Sequence, residues 1–240
     1  MWMICKKEWR QFFSSLTGYI ALTIFLLLNG LLFFVFPDTS LLDYGYASLD
    51  SFFRLSPWVL LFLVPTITMR SMADEYKAGT FELLKVMPVS AASIVWGKFL
   101  GALLVILLAL VPTVIYGVSL QLLSAVGGID VGSTIGSYIG LLLLGAVFTA
   151  AGICTSSFTN NTVVAFITGA FVCFLLFFGF DGVSKLPAIA NNAGYYIEML
   201  GLKMHYTSIS KGVVDLRDIL YFAGLIILFL LITQRNITRR

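Results

Sequence analysis

The chain has 240 residues, 59% of them hydrophobic and only 11% charged, with a mean hydropathy of +0.98. A soluble domain carries roughly 25% charged residues, so this composition excludes an ordinary soluble fold and points to a chain solvated largely by lipid. The net charge of +3 gives no reason to expect a nucleic-acid partner, and the placement of the charges says more than their sum.

The chain opens on WMICKKEWRQFFSSLTGYI, in which Trp2, Cys5, Trp9, Phe12, Leu16 and Tyr19 recur every three to four residues. Lys6, Lys7, Arg10, Gln11 and Ser14 fill the opposite face. This predicts an amphipathic helix over residues 1–17 lying in the membrane interface. Trp2, Trp9 and Phe12 would sit at headgroup depth, with Lys6, Lys7 and Arg10 toward anionic lipid. Gly18 is expected to bend the chain into the first span, residues 19–36. That run lacks a small-residue cleavage site, so it is expected to remain as a span. Asn29, the lone strongly polar residue within it, is expected to bond a neighbouring helix.

A crossing needs about 20 apolar residues. The second is expected at 55–72, with Pro65 inside it, and looks short between Arg54 and Arg70. The third is expected at 99–123, running past Pro112. Residues 131–180 carry no charge and are too many for one crossing. The polar sequence CTSSFTNN (154–161) divides them into spans at 133–153 and 162–180. A last span is expected at 219–233 and also looks short. Between the final two lies the longest loop, 181–218. Ala193–Leu202 and Tyr206–Val214 are apolar enough there to form short helices dipping toward the membrane.

Six crossings put both termini on one side. Lys and Arg concentrate on the cytoplasmic side of membrane proteins. With the N-terminus inside, ten cations are internal: Lys6, Lys7, Arg10, Arg70, Lys77, Lys85, Lys98, Arg235, Arg239 and Arg240. Five are external: Arg54, Lys185, Lys203, Lys211 and Arg217. The expected fold is therefore an all-α polytopic membrane protein. It is a single transmembrane domain over 1–240, with six transmembrane helices, an interfacial N-terminal helix and both termini cytoplasmic.

The densest charge cluster lies between the second and third spans, in ADEYKAGTFELLKVMPVS (73–90). Thr80 is expected to cap a short helix over Phe81–Met87. Pro88 disfavours helical geometry at Met87 and ends it, and Ser90 can cap the helix that follows. Phe81 and Leu84 supply apolar anchors, and Glu82 and Lys85 supply charges. Periodicity alone leaves two readings. One is a surface loop with solvated charges, the other a short helix laid in a partner's groove.

The string Glu75–Tyr–Lys–Ala–Gly79–Thr80–Phe81–Glu82–Leu83–Leu84–Lys85–Val–Met–Pro88–Val–Ser90, followed by Gly97–Lys98–Phe99, resembles the cytoplasmic loop of ABC-2 type permeases. These are the membrane subunits of ABC exporters. Residues 148–166 (FTAAGICTSSFTNNTVVAF) are similar to that family's turn between spans four and five. Residues 205–222 (HYTSISKGVVDLRDILYF) resemble its outer segment before the last span. The resemblance covers nearly the whole chain. It implies a coupling helix, carried here by Glu75, Gly79, Thr80, Phe81, Glu82, Leu83, Leu84, Lys85 and Pro88, seated on a separate cytoplasmic ABC ATPase subunit. It also implies a second permease subunit, identical or not, re-entrant helices in the outer loop and residence in a bacterial inner membrane. Within the family, the length, the lack of extra domains and the GVVDLRD segment look most like gliding-motility-associated permeases. A permease for copper-enzyme maturation would share much of the pattern.

The chain lacks G-x-x-x-x-G-K-[ST] and cannot cradle nucleotide phosphates by itself. No directly bound cofactor is expected. ATP and magnesium belong to the partner, so the chain is not expected to be an enzyme. Gly97–Gly101 and Gly136–Gly140 are small-residue pairs that let helices approach closely. Pro65 and Pro112 are candidate gating kinks. Asn160 and Asn161 either line a substrate entrance or cap a tight turn. His205, the only histidine, has no companions at ligand spacing, so no metal site is expected. Cys5, Cys154 and Cys173 read as small apolar residues.

Rival classes fit less well. An intramembrane protease needs an embedded Ser–His pair or paired aspartates. An ion-coupled transporter usually keeps ionisable groups at mid-membrane. A membrane scaffold that transmits force or regulates without transporting stays open.

Overall fold

The computed structural model describes residues 1–34, 48–82, 89–124, 128–186, 192–213 and 215–239, and all its regular elements are helical. Helix α1 (Trp2–Ser14) turns at Ser15 into α2 (Leu16–Phe34). Helix α3 (Asp50–Lys77) and helix α4 (Ala91–Leu110) follow. A 3-10 turn at Val111–Thr113 joins α4 to α5 (Val114–Leu123). Next come α6 (Val131–Phe158) and α7 (Thr162–Phe174), the latter passing through a π-turn at Leu175–Gly179 into α8 (Phe180–Ser184). The short helices α9 (Asn192–Met199) and α10 (Leu202–Ser210) precede α11 (Leu216–Arg239).

Six of these runs are long and apolar enough to cross a membrane: α2, α3, α4–α5, α6, α7–α8 and α11. The all-α, six-span expectation therefore holds. Helices α3 and α6 form the buried centre, and α2, α7–α8 and α11 are mostly exposed, as lipid-facing helices must be. Lipid is as apolar as leucine, so helix association rests on close packing and polar bonds between helices. Both are present. A Cβ on Gly152 of α6 would lie 2.1 Å from Thr68 Oγ1 of α3. Buried Asn29 of α2 accepts from Ser56 Oγ of α3 at 3.2 Å, the neighbouring-helix bond that its polarity predicts.

A second buried cluster contains Met72, Phe81, Ile94, Val95, Phe99 and Ile237, with Ile4 packed against it. Both termini and the connection after α3 thus lie at one end of the bundle. At the other end, Tyr206 of α10 donates to the Phe53 carbonyl at 2.6 Å, and Ser133 and Ser137 of α6 donate to the Ser210 carbonyl.

Several expected boundaries shift. Helix α3 has 28 residues and α11 has 24, so neither span is short. Both helices run on through charged residues at their ends, where Glu75 of α3 pairs with Lys7 and Lys98 and Asp218 of α11 pairs with His205. Helix α6 likewise continues through Ser156 and Ser157, whose hydroxyls return hydrogen bonds to backbone carbonyls. The third span begins at Ala91, where Ser90 caps it by accepting from the Ser93 N–H, as expected. The bend expected at Gly18 falls instead at Ser15, in extended geometry. Gly18 lies inside α2, where a Cβ would meet the Phe12 carbonyl at 2.5 Å. The second outer helix spans 202–210 rather than 206–214. Gly201 starts it in extended geometry, and Gly212 at φ +84 turns the chain away after it.

Candidate functional site

The connection after α3 begins with Gly79 at φ +67, a left-handed conformation that glycine adopts without a Cβ clash. This reversal carries residues 80–82 back as helix beside the end of α3. Phe81 is 5% exposed, its ring edge-on to Tyr76 with centroids 4.7 Å apart, and it completes the cluster with Met72, Ile94 and Phe99. Thr80 Oγ1 donates to the Glu75 carbonyl at 3.4 Å, and Thr80 is itself helical; most of the helix it is expected to cap lies outside the described residues. Glu82 points to solvent. Leu83, Leu84, Lys85 and Pro88 lie outside the described residues.

Glu75, a coupling residue by resemblance, is turned into the bundle and 6% exposed. Its Oε1 lies 2.6 Å from Lys7 Nζ of α1 and 3.0 Å from Lys98 Nζ of α4. Lys98 is 1% exposed, pairs with Glu8 of α1 at 2.7 Å and donates to the Ser71 carbonyl at 2.6 Å. A buried ammonium is tolerated only when paired and hydrogen-bonded. Three helices share these four charges: Lys7 and Glu8 from α1, Glu75 from α3, Lys98 from α4.

The Gly97–Gly101 pair explains how α1 comes so close. A Cβ on Gly97 would lie 2.8 Å from Ile4 Cβ, and one on Gly101 2.9 Å from Glu8 Cβ. The small-residue face on α4 therefore receives the N-terminal helix. Gly136 and Gly140 receive α10 in the same way, against Ile209 and Tyr206. Lys6, Arg10 and Trp2 are exposed, in keeping with an interfacial helix, while Trp9 and Phe12 are half-buried. Lys7 is drawn to Glu75 rather than left to lipid alone. Cys5 faces inward, and burial, with a smaller push from Glu8, raises its thiol pKa. The heptad-like spacing alone could not reveal the Ile4–Glu8 packing face.

A second device joins α3 to α6. Buried Ser156 Oγ accepts from the Met72 and Ala73 N–H groups at 3.1 Å each and donates to the Met69 carbonyl at 3.0 Å. Asn236 of α11 donates to the Ser157 carbonyl at 2.7 Å. The polar sequence that splits the uncharged run thus mainly ties helices together. Its turn is capped: Asn161 Oδ1 accepts from the Val163 N–H at 2.9 Å, and Thr159 Oγ1 from the Asn161 N–H. Asn160 and Asn161 are exposed at that turn. Pro112 opens the 3-10 turn between α4 and α5, and Pro65 lies within α3 near Gly169 of α7. The structure does not bring these four candidate gating residues together.

At the far end, His205 Nε2 donates to the Met199 carbonyl at 2.9 Å, and Nδ1 lies 2.7 Å from Asp218 Oδ1. Its ring stacks on Tyr221. The histidine joins α9, α10 and α11, and among the described residues no group of three or more His, Cys, Asp or Glu could hold a metal.

A family model described as ABC-2 family transporter protein matches residues 2–232. No curated protein matches the chain.

Proposed function

The chain belongs to the ABC-2 family of transporter proteins, membrane permease subunits of ABC transporters, and from that premise we propose that it serves an exporter driven by a separate cytoplasmic ATPase. ATP and magnesium are handled in that partner, and residues 80–88 form the foot on which it acts. The observation that supports this reading most is the charge cluster behind the foot. Glu75 lies in the last turn of α3 just before the Gly79 reversal, and Lys98 and Glu8 tie it to α4 and α1. A displacement of the foot therefore moves α1, α3 and α4 together rather than bending one loop. Phe81, packed against the same three-helix corner, makes the lever stiff.

Six spans are few to enclose a two-sided pathway, so a pair of permease subunits is part of the proposal. So is residence in a bacterial inner membrane, with the 80–88 foot facing the cytoplasm. The GVVDLRD segment favours the gliding-motility subgroup, in which ATP-driven motion serves export or the motility machinery.

The test is co-purification from native membranes. Charge reversal at Glu82→Lys with Lys85→Glu should strip the ATPase from the chain while leaving the chain in the membrane. Unchanged recovery of the ATPase sinks the foot assignment. Stimulation of ATP hydrolysis by a candidate substrate in the reconstituted complex would then separate a transporter from a scaffold.

A further inference from the structure

We propose that the cleft between α2 and α3 is a binding site for one inner-leaflet phospholipid with an amine-bearing headgroup. The polar half of the site is a small cavity of about 100 Å³, lined by Glu8, Gln11, Thr17, Arg70, Ser71 and Asp74 among others. The Arg70 guanidinium donates to Thr17 Oγ1 at 3.0 Å and to Ser15 Oγ at 3.4 Å. Salt bridges among the described residues use Lys7, Lys98, Lys185, Lys203 and His205, and leave Arg70 without a carboxylate. Asp74 lies one helical turn further along α3, lines the same cavity and joins none of those salt bridges among the described residues. Ser71 Oγ in the cavity wall is buried with no hydrogen-bond partner, and Ser71 is 9% exposed. A buried hydroxyl without a partner costs stability unless something fills the role.

The apolar half is a second cavity of about 460 Å³ that shares Thr17 and Thr66 with the first. Ile20, Ile24 and Leu28 of α2 face Trp58, Phe62 and Met69 of α3 across it. From Thr17 to Leu28 the groove climbs about 16 Å at 1.5 Å per helical residue. That is about half of a 30 Å hydrocarbon core, the depth of one leaflet.

The two halves match one amphiphile. A phosphate takes the Arg70 fork, the hydroxyls of Ser15 and Thr17 and the spare donor of Ser71. A primary ammonium takes Asp74, with Glu8 alongside, although Glu8 already pairs with Lys98. An acyl chain fills the groove above. Headgroup polarity favours phosphoethanolamine: the acidic groups would repel a purely anionic head, and a quaternary amine cannot donate to them. This site does not depend on the ATPase assignment.

The test uses the full-length chain, stripped of lipid in mild detergent. It is titrated with phosphatidylethanolamine, phosphatidylcholine and phosphatidylglycerol of identical acyl chains, and retained lipid is read by native mass spectrometry. Phosphatidylethanolamine should be retained roughly tenfold over phosphatidylglycerol, as expected for one charge-assisted hydrogen bond. Arg70→Ala should cost about tenfold in that retention. Asp74→Asn should erase the preference between the two lipids. Ile24→Trp, which narrows the groove away from every charge and from the helix ties, should reduce retention of all three. Equal retention of the three lipids by the unaltered chain overturns the headgroup assignment. Full retention by both Arg70→Ala and Ile24→Trp overturns the site.

Discussion

Lys98 Nζ lies 3.0 Å from Glu75 Oε1 inside a corner formed by three helices, with Lys98 almost wholly out of contact with solvent. In water such a pair would be worth little. Here its value lies in the penalty for breaking it, because removing one partner strands a buried charge. The pair sits directly behind the Gly79 reversal, so α3 cannot shift along its axis without carrying α4 and α1. Stiffness at this point suits the proposed push on residues 80–88.

Substituting Lys98→Met should therefore destabilise the chain by about 3–5 kcal/mol, the typical cost of orphaning a buried partner. Thermal unfolding in detergent measures it. Adding Glu75→Gln and Glu8→Gln to that variant should restore much of the loss, since no charge is then left buried alone. A triple variant as unstable as Lys98→Met would show that shape rather than charge holds the corner.

Gly97 and Gly101 set how closely α1 lies on α4. Gly97→Leu places a side chain where Ile4 Cβ would be only 2.8 Å from the first added carbon. The expected result is a loosened N-terminal helix, seen as faster backbone hydrogen exchange across residues 2–14 with the six spans intact. Overpacking of this kind costs about 1–3 kcal/mol. Because Glu8 leaves with α1, exchange at Ser71 and Glu75 should rise as well.

Hydropathy and charge placement made the six crossings and the shared side of the termini readable. They did so because lipid imposes a length and a charge bias on each span. Pro112 was readable as an irregularity in its span, since it cannot supply a helix N–H, and the 3-10 turn falls there. The burial of Lys98 and Glu75 was not readable. Each looks like an end-of-span charge in its own segment, and only the fold joins residues 8, 75 and 98. The hint was Lys98 lying inside the Gly97–Gly101 pair, on a face meant for close packing. The break at Ser15 was hidden for a similar reason. Gly18 is the stronger local breaker, yet it is needed for clearance against the Phe12 carbonyl.

Ser156 is the third joint of the same end. Its hydroxyl serves the Met72 and Ala73 N–H groups and the Met69 carbonyl of α3. Ser156→Ala leaves those buried backbone groups less satisfied and should cost about 1–3 kcal/mol. Exchange of the Met72 and Ala73 amides should quicken, while amides in α7 stay protected. Uniform quickening across α3 and α7 would mean that the hydroxyl supports the whole bundle rather than this joint.

Sidedness is open to direct labelling. Cys5, Cys154 and Cys173 are all buried, and Cys5 is further held as the unreactive thiol by its burial and by Glu8. The chain as it stands should stay dark to a membrane-impermeant maleimide. Glu82→Cys replaces an exposed side chain at the foot, and Lys185→Cys an exposed one at the opposite end. In intact cells only Lys185→Cys should label, and in inside-out vesicles only Glu82→Cys. The reverse pattern would put residues 80–88 beyond the reach of any cytoplasmic ATPase. The excess of Lys and Arg on the terminal side would then have to arise from something other than topology.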